Sequence, residues 1–222
     1  MCGRYADALE GAIVDWFDVQ VVTGRKEPSR NVSPTQSVWV VVEDAAAAHR
    51  AEAPVARELR LARWGLVPSW ASAPASRPLI NARAETVTAK PSFRAAAARR
   101  RAIVPAAGYY EWVGGPGGKT PFFLHAAGEP VLGFAGLYEW WRVPDGLALP
   151  AAVDGWLCSA TIVTRPATDG LGQIHDRMPV VVPRGLVDAW LDPGLTSLDE
   201  VDALLGAMPG PVLTPTAQSP TG

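Results

Sequence analysis

Three segments of the chain repeat their apolar residues at the spacing of an α-helix. In the first segment, Leu9, Ile13 and Phe17 fall on one face, which predicts an amphipathic helix. In the last, Ser197 is followed three residues later by Glu200, the spacing of a capping box, so a helix is expected to begin there. The three segments are 7–19, 184–191 and 197–208.

Six other segments favour β-strands, because they are rich in β-branched and aromatic residues or alternate apolar and polar positions. The Gly-rich run "GGPGGK" (114–119) separates two of them and predicts a hairpin turn. Many short strands with helices at both ends of the chain predict an α+β fold, in which a mostly antiparallel sheet forms an irregular pseudo-barrel flanked by a few helices. The six segments are 37–43, 58–70, 101–113, 120–126, 130–141 and 156–164.

The length and the composition of the C-terminal end predict the domain organisation. A chain of 222 residues suits one hydrophobic core. We expect residues 1–208 to form a single domain. Residues 209–222 are rich in Pro, Thr and Ser and are expected to form a disordered tail.

Charge and cysteine content narrow the classes of function. The net charge of −2 gives no bulk electrostatic argument for nucleic acid, and the arginines clustered in 93–101 line either a solvated helix face or a phosphate site. No apolar run resembles a signal peptide or a membrane span, so we expect a cytoplasmic protein in which Cys2 and Cys158 stay unpaired. The three histidines are far apart and no Cys-x-x-Cys pair exists, so the sequence predicts no metal site and no cofactor.

Cys2 directly follows the initiator methionine, and removal of Met1 would leave an α-amine and a thiol on one residue. Both groups are partly nucleophilic near neutral pH, since their ordinary pKa values are about 7.7–8.0 and about 8.5. An amine condenses with an aldehyde, and a neighbouring thiol can then close a five-membered thiazolidine, a step that gains from proximity. The alternative is that Cys2 is a small residue without a chemical role.

Glu111 and His175 are candidate proton carriers. Glu111 stands between Tyr110 and Trp112 on a predicted strand, where partial burial would raise its pKa and suit it to general acid–base catalysis. The alternative is a solvent-facing side chain, and Glu139 has the same local pattern in "LYEWW". His175 in "IHDRMP" carries the side chain most used for proton exchange at neutral pH, with a structural hydrogen-bonded role as the alternative.

Two further motifs offer polar and aromatic binding groups. "NARAET" (81–86) supplies Asn81, which could orient a reacting group, and Arg83, whose guanidinium could clamp a phosphate. Trp64 and Trp70 flank Pro68 in "WGLVPSW", where exposed rings could stack on bases or wedge into a duplex.

The order of the motifs is more specific than any one of them. The chain resembles the SOS response-associated peptidase (SRAP) family over roughly residues 2 to 192. The motifs that carry the resemblance are "MCGRY", "NVSPTQ", "WGLVPSW", "NARAET", "KPSFR", "VPAAGYYEW", "PFFLH", "GFAGLYEWW", "TIVTRPA" and "IHDRMPVVV".

The resemblance implies a sensor of abasic sites in DNA repair. Such a protein binds single-stranded DNA and, after loss of Met1, links the open-chain sugar aldehyde to its N-terminal cysteine as a thiazolidine. The autocatalytic loss of Met1 that the resemblance implies explains the peptidase and hydrolase labels, and the sugar chemistry explains a lyase label. The implied catalytic residues are Cys2, Asn81, Glu111 and His175.

The resemblance also implies a DNA-binding surface and a setting for the protein. Arginines would contact phosphates, and Pro34 with the tryptophan-bearing loops would hold the flanking DNA apart. The protein is then expected to be a monomer associated with the nucleoid in the cytoplasm. The implied DNA-binding residues are Arg4, Pro34, Trp64, Trp70, Arg83, Trp112, Thr164 and Arg177.

Two other functions stay open at the level of the sequence. A cysteine peptidase or amidase acting in trans would use Cys2 as nucleophile, with His175 or Glu111 as base. A non-catalytic reader of modified or single-stranded DNA would use only the arginines and tryptophans.

Overall fold

Five strands close into a barrel in the structure, a computed structural model that describes residues 2–43, 56–115, 117–147, 149, 151–168 and 173–220. The strands of the described ranges are β1 (Tyr5–Asp7), β2 (Val21–Thr23), β3 (Ser37–Glu43), β4 (Arg57–Trp64), β5 (Asn81–Arg83), β6 (Arg101–Gly115), β7 (Gly118–His125), β8 (Leu132–Arg142), β9 (Ala152–Val153), β10 (Trp156–Pro166), β11 (Arg177–Pro179) and β12 (Thr214–Ala217). The barrel order is β10–β4–β3–β6–β8, and β8 pairs again with β10.

Pairing direction confirms the predicted fold class. Neighbours in the barrel are antiparallel except at β4–β10, where Arg63 lies opposite Ser159 and Trp64 opposite Ala160 in a parallel pair. Two short strands outside the ring, β2 and β5, are also parallel to their partners β4 and β10. The fold is therefore α+β with a mixed, mostly antiparallel sheet.

Helices cover one side of the barrel. In the described part of the chain they are α1 (Glu10–Phe17), α2 (Pro91–Arg99), α3 (Val187–Leu191) and α4 (Leu198–Ala207). The predicted capping signal is confirmed, because the hydroxyl of Ser197 accepts a hydrogen bond of 3.4 Å from the backbone N–H of Glu200. Within the described ranges, no helix combines the length and the apolar character needed to cross a bilayer.

The buried residues form two main layers that share the barrel strands. Along β3, Val38 and Val40 point into the barrel, whereas Trp39 and Val41 pack beneath the helices. Both faces of β3 are thus buried, which is why its sequence reads as a continuous apolar run rather than an alternating one. The interior layer also contains Cys2 and Tyr5, so the N-terminal segment belongs to the core.

The predicted strand boundaries are close to those observed, and the structure decides the one segment in which two alternatives were open. The segment 101–113 left open two short strands or one bent strand, and the structure has one continuous strand, β6, of 15 residues. Its length allows it to pair with β3, β8, β7 and the N-terminal β1 along successive parts.

The C-terminal tail differs from the expectation of disorder. Thr214–Ala217 forms β12, which pairs with the outer edge of β7, with Thr214 opposite His125 and Ala217 opposite Phe122. All four residues of β12 are exposed, so backbone hydrogen bonds to an open sheet edge order this segment rather than burial of side chains. Composition carries no signal of such pairing, and the domain boundary at 208 and the disorder of the rest of the tail stay predictions.

Candidate active site

The N-terminal strand places Cys2 beside the strand that carries Glu111. Tyr5 of β1 pairs with Tyr109 of β6, and the backbone N–H of Tyr110 donates to the carbonyl of Arg4 at 2.9 Å. Cys2 lies just ahead of this pairing and is fully buried. Glu111 follows Tyr110 on β6 and is 5 % exposed.

Asn81 holds Cys2 from a second element. Its side-chain amide donates a hydrogen bond of 3.0 Å to the backbone carbonyl of Cys2. The position of Asn81 is fixed by β5, since Asn81 lies opposite Ile162 in the parallel pair with β10. Cys2 is therefore attached both to β6 and, through Asn81, to β10.

The thiol of Cys2 is kept protonated by its surroundings. Burial raises the pKa of Cys2 far above its ordinary value, and the negative charge of Glu111 raises it further, while a hydrogen bond from the backbone N–H of Arg4 lowers it. Neither Cys2 nor Cys158 is in a disulfide.

Glu111 and Glu139 share a local sequence but not an environment. Glu139 forms an ion pair with Arg100 at 2.7 Å and accepts a hydrogen bond from the backbone N–H of Trp140 at 3.0 Å. Burial raises the pKa of Glu111, and the nearby charge of His175 opposes that rise. The two carboxyl groups thus differ in their neighbours, since Glu139 faces Arg100 whereas Glu111 faces Cys2 and His175.

His175 approaches the same region on the segment that leads into β11. Its Nδ1 accepts a hydrogen bond of 3.0 Å from the backbone N–H of Arg177, and lies 2.7 Å from a carboxylate oxygen of Asp176. Because β11 is antiparallel to β10, with Arg177 opposite Pro166, the same strand that positions Asn81 also positions His175. The structure thus brings Cys2, Asn81, Glu111 and His175 to one place, although the catalytic role of each stays a prediction.

Tyr109 also lines this site, although no motif in the sequence pointed to it. It is 1 % exposed, and burial raises its pKa, with further increases from the charges of Cys2 and Glu111. The signal was present, since residues two apart on a strand share a face and Tyr109 is two residues from Glu111. Its phenol therefore stays neutral next to the reacting groups.

The residues predicted to bind DNA are split between the surface and the core. Arg83 is exposed, Trp70 is 69 % exposed, and Pro34 and Trp112 are half-buried. The guanidinium of Arg4 donates to the side-chain oxygen of Asn31 at 2.7 Å. These five residues present side-chain surface, but their contact with DNA stays a prediction.

The predictions for Trp64 and Thr164 are wrong as far as direct stacking or phosphate contact is concerned. Trp64 is 1 % exposed, packs edge-on against Tyr5 with 5.3 Å between ring centroids, and donates from Nε1 to the carbonyl of Ile80 at 2.9 Å. Thr164 is also 1 % exposed, because it lies on β10 between the paired strands β5 and β11. The sequence marked Trp64 by its place in a Pro-containing motif, but the chain leaves β4 only after Trp64, so the ring still points into the barrel.

The basic cluster in 93–101 has a mainly structural role at its C-terminal end. Arg101 is buried and donates to the backbone carbonyls of Trp190 and Ala97, both at 2.8 Å. Arg100 pairs with Glu139, as described above. Arg94 and Arg99 are exposed, so at most these two are available for phosphate.

The structure is a barrel in which a buried cysteine, Cys2, lies just ahead of the N-terminal strand and beside Asn, Glu and His side chains. This combination of fold and site is typical of one protein family. The chain belongs to the SOS response-associated peptidase (SRAP) family, whose model matches residues 1–217. It is 35 % identical over 213 residues to the abasic site processing protein YoqW of Bacillus subtilis, which covers 92 % of this chain and 86 % of the relative. It is also 32 % identical over 216 residues to the abasic site processing protein HMCES of Pongo abelii, covering 80 % of this chain and 57 % of the relative.

Solved structures share the fold. A protein from Bordetella bronchiseptica superposes with a TM-score of 0.77 at 23 % identity, covering 98 % of this chain and 100 % of that one. A phage-related protein from the same organism superposes with a TM-score of 0.68 at 28 % identity, covering 98 % and 95 %.

Proposed function

We propose that the protein captures abasic sites in single-stranded DNA through a covalent thiazolidine at Cys2 and so shields the damage during repair. The observation that carries the proposal is the hydrogen bond from Asn81 to the Cys2 carbonyl, because it holds the second residue beside Glu111 and His175. Membership of the SRAP family and similarity to proteins named for abasic site processing support the class of damage.

The proposed capture needs a free α-amine, so Met1 must first be removed by hydrolysis of its peptide bond. The amine of Cys2 then attacks C1′ of the ring-opened deoxyribose, and the aldehyde oxygen leaves as water to give an imine. The thiol adds to the same carbon while its proton passes to the nitrogen. One water is lost overall, and no oxidant or reductant is needed.

The surroundings suit this order of steps. The raised pKa of the Cys2 thiol leaves the amine as the first nucleophile, and the thiol closes the ring afterwards. Burial raises the pKa of Glu111 and so makes its carboxyl group better suited to exchange a proton with the sugar oxygen as the ring opens. His175 handles the proton on the aldehyde oxygen, and Asn81 keeps Cys2 in line.

Exposed aromatic and cationic side chains support an unpaired strand as the partner. Trp70 offers a ring on which a base can stack, and Arg83 offers a guanidinium to the backbone. An unpaired strand also brings an abasic sugar to a buried cysteine without the cost of opening a duplex.

The direct experiment mixes the purified protein with single-stranded DNA that bears one abasic site. We expect an adduct that survives denaturation without borohydride, and that is absent for Cys2→Ala. No adduct at any pH from 6 to 8, with Met1 shown by intact mass to be absent, would contradict the proposal.

Two further measurements separate the alternatives. A non-covalent reader would bind abasic DNA equally well as wild type and as the Cys2→Ala variant, and would give no covalent product. A peptidase acting in trans would turn over a peptide library, whereas the proposal predicts cleavage of no peptide bond beyond that of Met1.

A further inference from the structure

Glu85 pairs with Arg177 at the edge of the site. Its carboxylate accepts two hydrogen bonds from Arg177, 2.5 Å from Nη1 to Oε1 and 3.0 Å from Nη2 to Oε2. The hydrogen bonds from Arg177 lower the pKa of Glu85, and the charges of Arg177 and Arg83 lower it further. Glu85 is thus paired with Arg177, while Arg83 acts on it only through its charge.

Both terminal nitrogens of Arg177 are engaged by the protein itself. Nη2 also donates to the backbone carbonyl of Thr164 at 2.6 Å, with its hydroxyl at 3.3 Å. The side chain of Arg177 is only 13 % exposed. Thr164 therefore holds Arg177 from the interior, and the outward-facing N–H groups of Arg177 donate to Glu85.

Glu85 is the exposed member of this arrangement. Its side chain is 46 % exposed, and it lies in the turn that follows Asn81 and Arg83. A carboxylate and a phosphodiester both carry one negative charge and both accept paired hydrogen bonds from a guanidinium. Displacing Glu85 deprives its carboxylate of Arg177, so a phosphodiester gains less at this position than it would at an unpaired arginine.

We propose that Glu85 is an internal stand-in for a DNA phosphodiester, which must displace it from Arg177 for the strand to bind. This inference rests on the proposed function for its class of ligand, a single-stranded DNA backbone. Because each phosphate contact at this position first breaks the pair with Glu85, binding to undamaged strands is weakened. Glu85 therefore lowers the affinity for undamaged strands. A strand with an abasic site still binds stably through its other contacts, above all the covalent one at Cys2.

The test measures equilibrium binding of undamaged single-stranded DNA by fluorescence anisotropy over a series of NaCl concentrations, in a Cys2→Ala background. We expect Glu85→Gln to bind several-fold more tightly than the background protein. Its plot of log K against log salt should be steeper, by at most about 0.7, because in the background protein the displaced Glu85 carboxylate takes up a cation that offsets the release from one phosphate. The matched control is Glu10→Gln, which removes the same charge from an exposed position at the start of α1.

A double variant identifies the route of the effect. In an Arg177→Gln background the gain from Glu85→Gln should disappear, because the guanidinium that Glu85 is proposed to occupy is then absent. The inference is overturned if Glu85→Gln binds no more tightly than Glu10→Gln, or if the gain persists in the Arg177→Gln background. Thermal melts check that each variant is folded.

The outcome is independent of the covalent chemistry. Absence of any adduct with wild-type protein would overturn the proposed function while a gain for Glu85→Gln would still support the stand-in. Conversely, an adduct without such a gain would support the function and overturn the role of Glu85.

Discussion

The side-chain amide of Asn81 donates a hydrogen bond to the backbone carbonyl of Cys2 across 79 positions of sequence. The bond exists only when the barrel is formed, because the place of Asn81 depends on the pairing of β5 with β10. It links folding directly to the position of the residue that we propose to react.

Replacing Asn81 tests whether this bond orients Cys2. Loss of one hydrogen bond in Asn81→Ala should weaken the positioning of Cys2 by about 1 kcal/mol, and so slow adduct formation roughly five-fold. Single-turnover kinetics with abasic single-stranded DNA give the rate. An unchanged rate in a folded Asn81→Ala protein would show that the β1–β6 pairing alone positions Cys2.

Glu111 and Glu139 provide a matched pair of substitutions. Glu111→Gln keeps the shape of the side chain but removes its exchangeable proton, so adduct formation should slow by roughly 100-fold or more. Glu139→Gln should leave that rate near the wild-type value and instead lower the free energy of unfolding by about 1–3 kcal/mol, because Arg100 loses its partner. Equal effects of the two substitutions on the rate would exclude Glu111 as the proton carrier.

The stability of the protein should depend on pH through Glu111. Burial raises its pKa in the folded state above the ordinary value of 4.5, so the folded state holds this proton more tightly than the unfolded state does. The stabilising contribution is fully present below pH 4.5 and is lost as the pH rises through the folded-state pKa. Urea unfolding between about pH 4.5 and 8 should therefore show wild type losing stability relative to Glu111→Gln, and a difference that does not change with pH would contradict the burial of this carboxyl.

Gly108 is predicted to be essential for the path of the N-terminal strand. It pairs with Ala6 on β1, and a Cβ added to it would lie 2.5 Å from Cζ of Phe123 and 2.6 Å from the carbonyl oxygen of Leu124. Gly108→Ala should lower the free energy of unfolding by about 1–3 kcal/mol. Gly114→Ala, on the same strand with no atom within 4 Å of the added Cβ, is the control and should unfold near the wild-type midpoint; similar losses in both would mean that strand flexibility, rather than crowding by Phe123, explains the effect.

Local patterns predicted much of the fold. The β-branched run at 37–43 matches β3, and the Ser197 signal matches the start of α4. Barrel closure could not be predicted in the same way, because the parallel contact between Trp64 and Ala160 joins residues far apart in the chain and leaves no periodic signal. The pairing of β12 with β7 was invisible for the same reason, since its side chains are all exposed.

The candidate site shows a similar division. The sequence and the family resemblance pointed to Cys2, Asn81, Glu111 and His175. Their meeting in space also depends on β10, which positions Asn81 and His175 through pairings that no single motif reveals. Sequence could not separate Glu111 from Glu139, because the difference is the position of Arg100 in three dimensions. Trp64 was misplaced because a tryptophan in a loop-like motif looks exposed until the inward face of β4 is known.

The intact mass of the denatured adduct shows whether one residue supplies both nucleophiles. A thiazolidine at Cys2 gives a species equal to the chain without Met1 plus the abasic oligonucleotide minus one water, and borohydride leaves it unaltered because a thiazolidine has no imine to reduce. A variant that retains a blocked α-amine should give no such species. An adduct of the same yield from the blocked protein, or one that gains two hydrogens with borohydride, would contradict joint capture by the amine and thiol of Cys2.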